Sequence, residues 1–473
     1  MPSAVAVQVS TSGRWKISPF LFLLWSTGTV RAQDLVLSGV VVTPDKVVGK
    51  GWVVIKEGHI LSISESPPDA TSGPTIETNG IIFPGFIDLH DHPMYNIFKR
   101  WTPKTKFQNR YEWRDLPEYN ALVGRPGGDL QRKDDQTFCD VDEYVEVKAL
   151  IGGTTSITGI SGRRGVTPPV PSCVFGLARN LDWASGFYGS GIGNERVENA
   201  LGVTPRDLKD SEFHRIVEEL AARKMDLLLI HVAEGSPADT ESTVEFRALK
   251  GLGFLGPHTA VIHGVALGSD DFREMRVSGT ALIWSPRSNM ELYGSTTNVA
   301  EALRQGVTIA IAPDWSPTGS TNTLAELAYA SHLSQEQLSG LISARELFEM
   351  ATAVPARVAG ISDKVGSLSP GLYADLFVLM GDGAHPFEAL AHAKPEDVHL
   401  VLVGGVPIYG SQKLMGAFQI KTETLDVCGK KMELNSAALT AGSFGAVTSR
   451  LKADLSTYQL ELGPLQECAI SAP

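Results

Sequence analysis

Apolar residues follow two rhythms along this chain, and the rhythm changes twice. From residue 34 to 82, short β-rich runs alternate with turns in "DLVLSGVVVTP", "GWVVIKEGHILSI" and "TIETNGIIF", the pattern of strands bounded by turn residues. Runs of the same kind return late, in "ADLFVLMG" (374–381) and "VHLVLVGGVPIYG" (398–410). Strand material on both sides of one long middle segment predicts that the two ends fold together, as a small β-sandwich domain beside an inserted one. The middle segment alternates strand-like and helix-like stretches, which predicts βα units and a parallel sheet. Strands are predicted at 83–90, 153–159, 173–180, 226–231, 259–263, 280–285 and 307–313. Between them "SEFHRIVEELAARK" sets Phe213, Ile216, Val217, Leu220 and Ala221 on one helical face, with Ser211 where an N-cap belongs. These strands, with an eighth sought in the glycine-rich "GFYGSGIGN" (186–194), fit an α/β fold of the (β/α)8 TIM-barrel type. The expected division is 33–82 and 362–410 as the two parts of the small β-domain, 83–361 as the barrel, and 411–473 as a C-terminal extension.

The first residues change the picture by adding an address. Arg14 and Lys16 precede the apolar "ISPFLFLLWSTGTV", and Val30-Arg31-Ala32 offers small residues at the spacing a signal peptidase reads. Residues 1–32 are therefore expected to be a cleaved signal peptide, and the mature chain an exported one, periplasmic or secreted. The apolar core is shorter than the roughly 20 residues a bilayer span takes, so no stable membrane anchor is expected. Four cysteines (139, 173, 428 and 468) suit an oxidising compartment with two disulfides. Their connectivity is not readable, although proximity in sequence favours Cys139 with Cys173 and Cys428 with Cys468. The absence of any C-x-x-C argues against a thiolate metal site.

Composition and charge narrow the partners. Hydrophobic content of 43% and charged content of 20% are those of a globular chain, and 473 residues exceed one ordinary core. A net charge of −12 without a basic run excludes nucleic acid and anionic membrane surfaces as expected partners. A small-molecule substrate is expected, and a homo-oligomer is compatible with the sequence.

Candidate chemistry lies where apolar runs stop. In "IIFPGFIDLHDHPMYN" a buried-strand pattern ends in Asp88, His90 and His92, which alternation would set on one face. "DLLLIHVAEG" ends in His231, "TAVIHG" in His263 and "VTIAIAPDWS" in Asp314. A barrel gathers the carboxyl ends of its strands on one face, and imidazoles with a carboxylate there make a donor set for zinc or a related ion. Arg179 and Asn180 after the third strand, and Arg287, Ser288 and Asn289 after the seventh, are candidate substrate contacts at the rim.

The order "PGFIDLHDHP", "HVAEG", "IHGVAL", "SPRSNMELYG" and "IAPDWS" resembles the metal-dependent amidohydrolase superfamily, and within it the cyclic-amidine deaminases and chlorotriazine hydrolases. The stretch "ATAVPARVAGISDKVGSLSPGLYADLFVL" (351–379) resembles that family's return into its small β-domain. The resemblance implies that His90, His92, His231 and Asp314 bind one divalent metal, zinc before iron or manganese. It gives Glu234 the role of proton-shuttling acid and sets His263 facing the water and the reacting carbon. A bound ion lowers the pKa of water from 15.7 toward about 7, which makes hydroxide available at neutral pH. Asp314 would accept the water's proton, and Glu234 would deliver one to the ring nitrogen or leaving amine. Two-metal members of the superfamily carry a bridging lysine on the fourth strand. Lys209 and Lys224 both fall outside predicted strands, which favours one ion.

The implied activity is hydrolysis of a non-peptide C–N bond, in a cyclic amidine or aminated heterocycle, with release of ammonia. An exported amidase or dipeptidase-like hydrolase is the alternative within enzymes, and a non-catalytic barrel that binds a ligand is the alternative of another class. "APDWSPTGS" departs from the Gly-Thr-Asp common among the deaminases, which bears on the substrate and leaves the metal chemistry intact.

Overall fold

The computed structural model describes residues 34–69, 73–160, 172–175, 177–182, 197–200, 209–222 and 226–468, together with 32, 202–204 and 207. Residues 1–31 of the expected signal peptide, the "GFYGSGIGN" segment and Lys224 lie outside the described residues.

The two ends of the chain build one nine-stranded mixed sheet, in place of the sandwich of two sheets expected. Its strands are β1 (Leu35–Val42), β2 (Val47–Lys56), β3 (His59–Ser64) and β4 (Thr75–Pro84), with β13 (Leu376–Leu379), β14 (Val398–Val403), β15 (Val406–Ser411), β16 (Thr422–Val427) and β17 (Lys430–Asn435). They lie in the order β16-β17-β15-β14-β13-β4-β1-β2-β3. Strand β4 shows why the halves meet in its second part. "TIETNG" alternates exposed and buried residues, whereas "IIFP" is buried on both faces, and it is this half that pairs antiparallel with β13, Phe83 opposite Phe377. Residues 411–473 do not stand apart. They supply β16 and β17 to the same sheet, and the helix Phe444–Ser456 lies on the helix Asp135–Ile151, with Tyr144 and Phe444 stacked at 5.8 Å.

Between these ends the described residues form eight further strands: β5 (Phe86–Asp88), β6 (Thr154–Ile157), β7 (Arg179–Asn180), β8 (Val197–Ala200), β9 (Leu227–Val232), β10 (Thr259–His263), β11 (Ala281–Trp284) and β12 (Ile309–Ile311). They pair in parallel as two sheets, β5-β6-β7 and β12-β11-β10-β9-β8. The third strand is only two residues long, because Ser172–Phe175 is a 3-10 turn. The helix of "SEFHRIVEELAARK" starts at Asp210 with Lys209 as its N-cap, two residues ahead of the Ser211 expected in that position.

Strand periodicity sorts the core. Ile87, Leu227, Leu229, Ala260, Ile262, Ala281, Ile283 and Ala310 form one cluster, while their neighbours Leu228, Ile230, Val261, Leu282, Ile309 and Ile311 belong to the cluster that contains the helices. Both faces are thus buried, the condition under which parallel strands read as continuous apolar runs. Gly85 sits at the passage from β4 into β5, and a Cβ there would lie 2.1 Å from the Thr155 hydroxyl, so only glycine lets the chain cross.

Disulfides join Cys139 to Cys173 and Cys428 to Cys468, and no described cysteine is free. The second bridge ties the last described residue to the turn between β16 and β17. Titration of the denatured, unreduced protein is expected to find no thiol and, after reduction, four. Four reactive thiols before reduction would contradict both bridges.

Candidate metal and catalytic site

Strand β5 stops at Asp88, so alternation ends before the histidines of "DLHDHP". Asp88 accepts the backbone N–H of His90 at 3.0 Å and fixes the turn, a structural task, while His90 and His92 continue on the loop. His231 lies inside β9, on the inward row of Leu227 and Leu229. His263 ends β10, where alternation alone would turn it toward the helices with Val261. Its backbone is left-handed at φ 66°, as are Asp314 at 70° and Ala233 at 56°. Positive φ is uncommon outside glycine and costs energy, so the surroundings must hold these strand ends in place. Part of that support is visible: the Arg110 guanidinium donates to Glu245, and Glu245 accepts the N–H of Ala233 at 2.7 Å.

The result is a convergence of five side chains from four strand ends. Donor atoms of His90, His231 and His263, and of His90, His92 and Asp314, fall within 4.8 Å of one another. Nε2 of His90 lies 3.3 Å and Nε2 of His92 3.5 Å from the Asp314 carboxylate. The His90 and His231 rings are 5.1 Å apart, and those of His92 and His231 5.4 Å. The rings of His90 and His263 are held from behind: Nδ1 of His90 meets the Ser285 hydroxyl at 2.9 Å, and Nδ1 of His263 the Asn289 carbonyl oxygen at 2.8 Å. Orientation of a ligating imidazole through its other nitrogen is how metal sites fix tautomer and aim.

The donor set fits a cation. Nε2 of His90 is buried and has no hydrogen-bond partner, a costly state for a polar atom. Burial, and then the neighbouring imidazoles, push His90 well below the usual histidine range. Burial is also the main reason that Asp314 is held well above the carboxylate range and that His263 is pushed down to about 3. Neutral imidazoles around a carboxylate lacking a counter-charge are what a divalent ion would complete. Glu234 reaches the same point, with Oε1 3.7 Å from Nε2 of His263.

Of the five candidate rim residues, Arg179, Asn180 and Arg287 are occupied elsewhere, and Ser288 is buried with its hydroxyl 3.1 Å from that of Thr318. Arg179 forms a bidentate ion pair with Asp375, at 2.5 and 2.9 Å, that ties β7 to the large sheet. Asn180 donates to the carbonyl of Ile160 and accepts from the N–H of Asp182. Arg287 pairs with Glu467 near the C-terminus at 2.8 Å, and its N–H donates to Glu326. Asn289 does belong to the site, as the partner of His263. Arg179→Ala is therefore expected to lower stability by about 3–5 kcal/mol, the usual effect of stranding one member of a buried pair. Turnover per folded molecule should be unchanged, and a raised KM with intact stability would return Arg179 to the substrate site.

The open side of the site is a cavity of about 220 Å³ whose wall is aromatic. Trp113, Tyr119 and Trp315 form it, the two indoles 5.5 Å apart and Tyr119 at 5.1 Å from Trp113. Arg110 lines it as well, its charge answered by Asp207 and Glu245. None of these was singled out from sequence, although "FQNRYEWRDLPEY" (107–119) carries four aromatics in thirteen residues.

Residues 204–408 match the model of the Amidohydrolase family. Among curated relatives, the 5-methylthioadenosine/S-adenosylhomocysteine deaminase of Syntrophobacter fumaroxidans is 24% identical over 82% of this chain and 95% of its own length. The 8-oxoguanine deaminase of Pseudomonas aeruginosa is 26% identical over 75% of this chain and 88% of its own. Among solved structures, a zinc-bound adenosine deaminase from Xanthomonas campestris superposes with a TM-score of 0.67 at 16% identity, over 90% of this chain and 98% of that one. The zinc complex of an atrazine chlorohydrolase from Arthrobacter aurescens gives 0.64 at 17% identity, over 89% and 99%. These are likenesses of sequence and fold.

Proposed function

We propose that this chain is a metal-dependent hydrolase of non-peptide C–N bonds, which deaminates a cyclic amidine or aminated heterocycle. The observation that carries the reading is the convergence of His90 with His92 and Asp314, and of His90 with His231 and His263, beside an aromatic-walled cavity that His92, His231, Glu234 and Asp314 line. His90, His92, His231 and Asp314 would hold one divalent ion, zinc by preference, with His263 and Glu234 left for the reaction. When bound, the ion supplies Lewis acidity and an acidified water. The protein's own contribution is distributed over four groups. Asp314 accepts the proton of the attacking water, and Glu234 donates one to the ring nitrogen or leaving amine. His263, kept neutral by burial and aimed by Asn289, stabilises charge at the carbon under attack. The aromatic wall accepts the face of a planar ring. The names of the relatives, all deaminases or hydrolases, agree with this chemistry.

The reading includes an architecture and an address. The two parallel sheets are read as one eight-stranded barrel over residues 83–361. Supporting this are the inner core shared by β5 and β9–β12, and two backbone bonds at the seam: Asp314 N–H to His90 O at 3.0 Å and His92 N–H to Asp314 O at 2.7 Å. Export with cleavage near Ala32 is supported by the two disulfides, which persist in oxidising compartments. Among the described residues no helix is long and apolar enough to cross a membrane.

The test is metal analysis of the mature protein followed by an ammonia-coupled screen of purines, pyrimidines, triazines and N-acyl amino acids. Near-stoichiometric zinc and ammonia release from a heterocycle are expected. Carboxylate release from N-acyl amino acids instead would replace the deaminase by the amidase, and absence of bound metal would remove the enzyme reading.

A further inference from the structure

A three-residue hydrogen-bonded chain reaches Glu234 from the cavity wall. Nε1 of Trp113 donates to the Tyr293 hydroxyl at 2.9 Å, and that hydroxyl donates to Oε1 of Glu234 at 2.6 Å. All three side chains are buried. Burial first, and then the charge of Glu234, push the Tyr293 phenol well above its ordinary range, so it stays a donor at neutral pH. Tyr293 is the last residue of the helix Pro286–Tyr293, the same helix that carries Asn289 to His263. Trp113 belongs to the helix Arg110–Arg114, capped by Asn109, and the residues just ahead of it grip both sides of the site. The Ser236 N–H donates to Gln108 O at 2.6 Å, two residues past Glu234, and the Phe107 N–H donates to Leu292 O at 2.8 Å, one residue before Tyr293. The wall, the phenol and the carboxylate are thereby one mechanical unit.

We propose that Tyr293 and Trp113 are positioning residues for Glu234, and that because Trp113 also forms the cavity wall, seating a planar ring against it aligns the acid. Glu234 Oε1 faces His263 only while the phenol holds it, since a free glutamate samples several rotamers. Donation from the indole polarises the phenol and strengthens its bond to the carboxylate, as in other hydrogen-bonded chains. A hydrogen bond to a charged group contributes about 1.5–3 kcal/mol, equivalent to about 10- to 100-fold in rate where the transition state depends on it. The inference rests on Glu234 as the acid of the proposed reaction.

Its test reads the carboxylate directly. The zinc-loaded mature chain is labelled with [5-13C]glutamate, and the Glu234 carboxyl resonance is identified by its loss in Glu234→Gln. At neutral pH, Tyr293→Phe is expected to move that resonance, and Trp113→Phe to move it the same way by less. Tyr119→Leu, which removes ring area from the wall and leaves the chain of donors intact, should leave it in place. Kinetics follow with the panel compound that releases ammonia fastest. Tyr293→Phe should lower kcat by about 10- to 100-fold with KM within a factor of about two. Trp113→Phe should change both constants, and Tyr119→Leu chiefly KM. A Glu234 resonance unmoved in folded, zinc-bound Tyr293→Phe overturns the proposal. A moved resonance with no ammonia from any compound keeps the positioning role and overturns the deaminase reading instead.

Discussion

Replacing His90 or His231 with alanine is expected to leave the mature protein without bound metal and without measurable turnover. Four protein donors surround the proposed ion, and removing one of them leaves its coordination sphere incomplete and the remaining ligands unsupported. His90 is the sharper case, because its Nε2 is buried with no partner of its own while its Nδ1 is held by Ser285. Alanine there removes the donor and leaves the Ser285 hydroxyl facing a void. Thermal melting beside metal analysis separates loss of the ion from loss of the fold. Ser285→Ala gives the graded control: it keeps the imidazole and frees its orientation, so metal affinity should fall by about 10- to 100-fold. Near-stoichiometric zinc and wild-type turnover in His90→Ala would end the assignment.

The parts of this site that the sequence announces are those where a buried strand must end. Apolar runs such as "DLLLI" and "TAVI" leave no room for a polar residue until the strand reaches the surface of the core, so His231, His263 and Asp314 stand out against their surroundings. The structure adds what alternation cannot supply. Val261 faces the helices, and a regular strand would send His263 the same way. The positive φ at His263 sends it toward Glu234 instead. A strained dihedral leaves no trace in a single sequence when the residue is not glycine.

The ion pairs of Arg179 and Arg287 are hidden in the sequence for a related reason. Arg179 lies in β7 and Arg287 just after β11, but their partners Asp375 and Glu467 lie about two hundred residues further along. Only the completed fold brings such charges together, and a buried arginine with a bidentate carboxylate is a fastener between layers. The same non-locality hid the aromatic wall. Trp113 and Trp315 are two hundred positions apart in sequence and meet only because residues 107–119 fold back over the cavity. The sandwich was expected because its strands come from two distant stretches. β4 and β13 instead pair directly through buried faces, which merges both stretches and the last hairpin into a single sheet.

Glu234→Gln carries the second large effect, and it isolates proton transfer from metal binding. Glutamine keeps the size of the side chain and can still accept the Tyr293 hydrogen bond through its carbonyl oxygen, so the chain from Trp113 survives. It cannot give or take a proton at that atom. General acid–base catalysis contributes about 10²- to 10⁴-fold, and kcat should fall by that factor while zinc content and melting temperature stay near those of the parent protein. The competing account makes Glu234 a structural anchor for the segment at residues 107–114, to which it is bound through Tyr293. An anchor of that kind would keep its Tyr293 bond in the glutamine variant, and with it most of its turnover. Bound zinc, melting temperature and kcat measured on one preparation therefore distinguish the two. The geometry favours the acid, because Oε1 of Glu234 lies 3.7 Å from Nε2 of His263 and on the floor of the cavity that His92 and Asp314 line.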